Sequence, residues 1–271
     1  VLVCNLTCPV FAQNQKIADS LIKLYNSGVS PADELKLLKQ ISNKETNPDI
    51  NLKYSELLIK KATKDSLYDF LFFGYLNKGY ALKNKGDNAS ALEDFFTARK
   101  LADKMRDTLN IGMVIIPIAD TYAYMGNEKN ASKYYEEGIQ ILRKINDSIK
   151  LASALVNAGD FFFYAKKYKE AENYFAESGI IFKNKKHFLG EAYNLGNLGM
   201  VYAEQGKDAE AEKNIGQAIN MLEELQDYGA ISVYLTFMSD IYLKKNQWNT
   251  ALNYAKRSLD LAQKYGLKAQ I

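Results

Sequence analysis

Histidine, cysteine, proline and tryptophan are scarce in this 271-residue chain, with one His, two Cys, four Pro and one Trp. Both cysteines, Cys4 and Cys8, lie in the first eight residues, so the body holds no thiol. That excludes a disulfide scaffold, Cys-ligated zinc and a cysteine nucleophile there. His187 stands alone, which removes His-rich metal sites and would make any Ser-His enzyme depend on a single ring. Charge of either sign is not in excess: 35 basic side chains face 32 acidic ones, for a net +3. Nucleic-acid binding requires a basic stripe, which this balance does not provide. No run beyond the first residues approaches the 18 apolar residues a membrane span needs. Ile111 to Ile118 is apolar but short, and reads as buried helix.

Residue 1 is Val, so the chain reads as a fragment or a processed product. Val1 to Gln13 carries no charge and ends in Val10-Phe11-Ala12, a small-x-small cleavage pattern. Residues 1–12 therefore read as the remnant of a secretory signal, with a floppy arm as the alternative.

What the chain does have is a repeat. Segments beginning at Phe72, Gly112, Ala152, Ala192 and Ser232 align at a spacing of 40 without insertions. Position 8 is small in each: Gly79, Ala119, Gly159, Gly199 and Ser239. Position 11 holds Leu82, Tyr122, Phe162, Tyr202 and Tyr242, and position 15 holds Gly86, Gly126, Lys166, Gly206 and Asn246. Position 20 is Ala in all five (Ala91, Ala131, Ala171, Ala211, Ala251), and position 24 holds Phe95, Tyr135, Phe175, Ile215 and Ala255. A small residue at 8 lets two helices approach, and Gly or Asn at 15 takes the left-handed conformation that ends a helix. The Ala at 20 marks a helix crossing. Such a hairpin cannot bury its apolar face alone and must stack on neighbours. Asp107, Asp147 and Asp227 supply helix-start chemistry between repeats; Asn184 to Lys186 lacks it, which predicts a looser turn.

These residues resemble the tetratricopeptide repeat (TPR) family over residues 72–271. The resemblance implies an all-α, right-handed solenoid of helical hairpins, with helices longer than the family's usual 34-residue unit allows. Residues 13–71 read as three helices near Asn14–Asn26, Ala32–Ser42 and Asp49–Thr63, a degenerate repeat or N-terminal cap with Asn51 in the Ala slot. The fifth repeat ends with the chain, which reads as excision from a longer protein; the alternative is that Lys256 to Ile271 is polar enough to cap. Leu21 to Gly28, Glu34 to Leu38 and Tyr54 to Leu58 are also similar to N-terminal regions of bacterial repeat-bearing signal transducers. That implies an exported, periplasmic domain tethered through a missing C-terminal membrane segment to a cyclase, histidine kinase or DNA-binding output. A cytosolic scaffold is the alternative.

Resemblance to the family places positions 2, 5, 6, 9, 12 and 13 on the concave face. The candidate peptide-binding residues are Asn77, Tyr80, Asp120, Asn157, Asp160, Tyr164, Asn197, Met200 and Asp240. A carboxamide can donate and accept at once, which suits an extended peptide; it can equally bond a neighbouring helix. The aspartates would repel a carboxylate, so the expected partner is a protein or peptide segment that is neutral or basic, not acidic and not nucleic acid. Asp120 and Asp160 as a glycosidase pair would need about 5–9.5 Å between them, and nothing in their spacing selects that. No catalytic residue, metal or cofactor is expected. Pro117 predicts a kink near Met113, Trp248 is expected to cap the core, and His187 to be exposed.

Overall fold

A computed structural model describes residues 8–145 and 147–267. Among the described residues every regular element is an α-helix, and there are thirteen. They fall into two compact units, one of residues 10–146 and one from Asp147 onward.

The first unit holds α1 (Cys8–Asn26), α2 (Pro31–Lys44), α3 (Pro48–Lys64), α4 (Tyr68–Asn84), α5 (Asn88–Met105), α6 (Thr108–Tyr124) and α7 (Glu128–Lys144). The second holds α8 (Ser148–Tyr164), α9 (Tyr168–Asn184), α10 (Phe188–Glu204), α11 (Asp208–Glu224), α12 (Tyr228–Lys244) and α13 (Trp248–Tyr265). The expected leader remnant lies outside the described residues over 1–7, and α1 begins at Cys8.

Most helices are 17 residues long and most turns three, so the backbone repeats every 20 residues, half the period read from the side chains. Most turns share one geometry. After α4, Gly86 takes φ 85° and the Asp87 amide reaches back to the Leu82 carbonyl at 3.0 Å. After α5, Arg106 takes φ 54° and the Asp107 amide bonds the Ala102 carbonyl at 3.0 Å. Glycine is free to adopt this left-handed conformation, whereas L-residues pay about 1–2 kcal/mol. The chain nevertheless places Ser66, Arg106, Lys166, Lys186, Gln226 and Asn246 there. Packing of the helices on either side holds them.

The turn expected to be looser is not. Lys186 sits at φ 52° like its equivalents, and the His187 amide bonds the Phe182 carbonyl at 2.9 Å. The cap is His187 itself: its Nδ1 accepts from the Gly190 amide at 3.0 Å, doing for α10 what aspartate does elsewhere. The His187 side chain is otherwise exposed. Asp107, Asp147 and Asp227 cap α6, α8 and α12 through the amides of Asn110, Lys150 and Ala230.

The crossings are built as the small residues require. Ala91, Ala131, Ala171, Ala211 and Ala251 are all buried. A Cβ on Gly79 would come within 2.6 Å of the Phe95 ring, and one on Gly159 within 2.6 Å of the Phe175 ring. The ring at position 24 therefore lies flat on position 8, and even one methyl would separate the pair. Ser239 achieves the same approach by donating its hydroxyl to the Ala251 carbonyl at 3.0 Å.

The N-terminal helices have a core of their own, in which Leu37, Leu38, Ile41, Tyr54 and Leu58 pack with Leu21, Ile22 and Tyr25. Asn51, in the slot that Ala fills elsewhere, is buried and donates to the Ser42 and Glu45 carbonyls at 2.8 and 3.0 Å. It satisfies the free carbonyls at the end of α2, which an Ala would leave unpaired.

Helix α6 carries Pro117 within its span from Thr108 to Tyr124, with the Thr121 hydroxyl donating to the Pro117 carbonyl at 2.7 Å. One expectation changes. Trp248 does not cap the core: it opens α13 and is 63% exposed.

Candidate functional site

The residues expected on the concave face lie on α4 and α6 in the first unit and on α8, α10 and α12 in the second. The structure shows that several of them spend their polar groups on neighbouring helices.

In the second unit one hydrogen-bonded chain crosses three helices. The Tyr234 hydroxyl, on α12, donates to Asn197 Oδ1 on α10 at 2.9 Å and lies 3.1 Å from the Tyr193 carbonyl. Asn197 Nδ2 in turn donates to Asp160 Oδ1 on α8 at 3.0 Å. The carboxamide does donate and accept at once, but toward its own fold. Tyr234 and Asn197 are both buried, so each bond replaces one to water rather than adding to it. Tyr234 fits because Gly196 has no side chain: a Cβ there would fall within the tyrosine ring.

Met200, next to this chain on α10, is 6% exposed and belongs to the core. Phe163 of α8 and Phe237 of α12 bring their ring centres to 6.2 Å. Lys244 donates to the Ala203 carbonyl at 3.3 Å. Of the other residues expected here, Asn157 and Asp160 are half-buried, and Tyr164 and Asp240 are exposed. Tyr164 stands edge-on against Phe163 with ring centres 5.3 Å apart.

In the first unit Asn77 is buried and its Nδ2 donates to Ser42 Oγ at 3.0 Å and Asn43 Oδ1 at 2.6 Å, tying α4 to the end of α2. Asp120 accepts from the Tyr135 hydroxyl at 2.6 Å and lies 3.8 Å from Lys83 Nζ. Lys83 also sits over the Tyr124 ring at 4.9 Å. Tyr80 is 37% exposed and packs edge-on against Phe95. Burial and then the Asp120 carboxylate push the Tyr80 hydroxyl well above the ordinary tyrosine pKa and raise that of Tyr124, so both stay neutral donors. The face here is two tyrosines around a carboxylate whose charge Lys83 offsets.

Sequence reasoning missed Tyr234 and Gly196. A signal existed: position 3 reads Gly74, Val114, Ala154 and Asn194 before Tyr234. The large residue at 234 answers the empty space at 196 one repeat away, a pairing visible only once the helices are packed.

Among the described residues no group of His, Cys, Asp or Glu is arranged to hold a metal ion. No described helix is long and apolar enough to cross a membrane.

The Tetratricopeptide repeat family model matches residues 111–178 and 189–264, just over half of the chain. The chain belongs to the tetratricopeptide repeat family. Solved structures agree on the fold. BtubC (BKLC) from P. vanneervenii is 17% identical and superposes with a TM-score of 0.70 over 82% of this chain and 93% of its own. A signal transduction ATPase with numerous domains carrying a TPR sensor, from Pyrococcus horikoshii, is 17% identical with a TM-score of 0.73. The match covers 95% of this chain but only 43% of that one. A Rap protein complexed with competence and sporulation factor is 14% identical, TM-score 0.68, over 95% of this chain and 82% of that one. At such identities the likeness shows the fold alone. No curated protein matches significantly. As a TPR array the chain is a protein-interaction module, built on a fold that is generally non-catalytic.

Proposed function

We propose that this TPR domain is the sensor or interaction part of a bacterial membrane signalling protein, exported to the periplasm, and that it holds a segment of another polypeptide against the first helices of its repeats. The observation that supports this is the exposure of tyrosine rings and a carboxylate on first helices. Tyr80 and Tyr124 flank Asp120 in one unit, and Tyr164 and Asp240 are exposed in the other. Tyrosines offer large contact area at low entropic cost, with a hydroxyl that can bond a peptide backbone. Because Lys83 offsets Asp120 and Asn197 occupies Asp160, the ligand favoured is neutral, with Asp240 tolerating a basic residue.

Peptides selected from a random displayed library against the whole chain test the binding reading. Their affinity should fall about tenfold or more in Tyr80→Ala or Tyr164→Ala, the range of aromatic anchors; selected peptides that bind both variants as well as wild type refute it. The signalling context is tested by the full reading frame, where a basic, apolar leader upstream and a span of about 20 apolar residues downstream are expected.

A further inference from the structure

On α4, Tyr80 and Lys83 lie three residues apart, and on α6 Asp120 and Tyr124 lie four apart, so each pair shares a helix face. The two pairs meet where α4 and α6 of the first unit adjoin. Lys83 Nζ stands 3.8 Å from Asp120 Oδ2 and 4.9 Å from the centre of the Tyr124 ring. Tyr80 belongs to the same group, since the Asp120 charge adds to the burial that raises its hydroxyl's pKa. Asp120 also accepts from the Tyr135 hydroxyl of α7 at 2.6 Å.

Position 12 of the repeat sets Lys83 apart. The other copies place Ala123, Phe163, Ala203 and Leu243 there, all apolar. The one lysine in that column is not a solvated surface charge. Its side chain is 13% exposed, whereas Tyr80 and Tyr124 are 37% and 38% exposed, so the lysine is sunk deeper than either tyrosine. An ammonium taken from water requires compensation, which the carboxylate and the aromatic face supply. At 3.8 Å the ion pair is longer than a hydrogen bond, so this contact works through the field rather than through a directed bond.

The chemistry of the site follows from what occupies it. A carboxylate beside tyrosine rings is an environment that takes an alkylammonium ion. The chain fills that place with its own lysine, and a tethered group competes as though present at millimolar concentration or above. We propose that Tyr80, Asp120 and Tyr124 form an alkylammonium site plugged from within by Lys83. Lys83 is thereby the specificity-determining residue of the first-unit face: it keeps a partner's lysine side chains out and leaves the exposed tyrosine rings to uncharged segments. That role rests on the reading of the first helices as the peptide face.

The probe is N-acetyl-lysine methylamide, titrated into the whole chain with ¹³C-labelled tyrosine rings, Tyr80 and Tyr124 being assigned by their loss in Tyr80→Leu and Tyr124→Leu. Wild type should show no saturable shift at either ring. Lys83→Ala should fold, since Ala123 and Ala203 hold the equivalent position, and both rings should then shift saturably. N-acetyl-norleucine methylamide, which lacks only the ammonium, should bind that variant about tenfold or more weakly. Adding Asp120→Asn should weaken the lysine compound by a similar factor. A second measurement needs no substitution of Lys83: its ε-methylene protons in wild type should lie upfield, shielded by the Tyr124 ring, and return to their ordinary position in Tyr124→Leu. The proposal is overturned if the lysine compound shifts wild type as strongly as Lys83→Ala, or if folded Lys83→Ala does not respond up to the solubility of the probe. Equal affinity for the norleucine compound, or an unshifted ε-methylene, overturns it too. None of these measurements uses a selected peptide, so the peptide-binding reading and the plugged site fail separately.

Discussion

The Asp160–Asn197–Tyr234 chain makes Asn197→Ala the most informative single substitution. It removes the Nδ2 bond to Asp160 at 3.0 Å and the acceptor for Tyr234 at 2.9 Å. A bond to a charged group is worth about 1.5–3 kcal/mol net and a neutral one about 1. Two things reduce the total: Tyr234 retains the Tyr193 carbonyl at 3.1 Å, and half-buried Asp160 can turn to water. The expected loss is about 2 kcal/mol. Unfolding entropy of about 2.1 cal/mol/K per residue, over the roughly 120 residues of this unit, converts that to a Tm lower by about 8 °C. Urea titration with helix circular dichroism measures it, provided the transition of α8–α13 is resolved from that of the other unit. A loss below about 0.5 kcal/mol, the level of an inert surface change, would refute the reasoning. The amide would then be free for a ligand, as the sequence alone allowed.

Gly196→Ala puts a methyl into the Tyr234 ring and should destabilise by about 1–3 kcal/mol, with the double variant Gly196→Ala/Tyr234→Phe no better because the ring remains; a denaturation midpoint within error of wild type would contradict the packing. Lys166→Gly, at φ 59° on an exposed turn, should raise stability by about 0.5–1 kcal/mol, since relief of the left-handed strain exceeds the added chain entropy. The side-chain and backbone bonds to Lys150 hold the Asp147 carboxyl below the ordinary aspartate pKa. Its contribution is therefore complete above the unfolded pKa of about 3.9 and disappears as pH falls through the lower folded value. Asp147→Asn keeps the cap but should flatten that acid limb when urea midpoints are compared between pH 7 and pH 3.

Much of the architecture was legible from period and residue size. Ala at position 20 and Gly at position 8 predicted crossings that the structure builds at Ala91, Ala131, Ala171, Ala211 and Ala251, because only small side chains permit two helix axes to approach so closely. The aspartate caps were legible too, since their chemistry is local to four residues. The second family of turns was not. Arg106, Lys186 and Gln226 adopt the glycine conformation with no glycine to announce it, at a cost that helix packing overrides.

The candidate site was legible only as a set of positions. Sequence could say that Asn77, Asn197 and Met200 lie on first helices; it could not say that two of them are spent on bonds within the fold and the third is core. Helical repetition is written into each residue's own size and propensity, so one strand of text suffices to read it. Whether a polar side chain meets water, a ligand or another helix depends on what stands opposite, as Gly196 opposite Tyr234 and Gly179 opposite Asn194 show. That partner lies about 15 to 40 residues away, and only the packed helices bring it into reach.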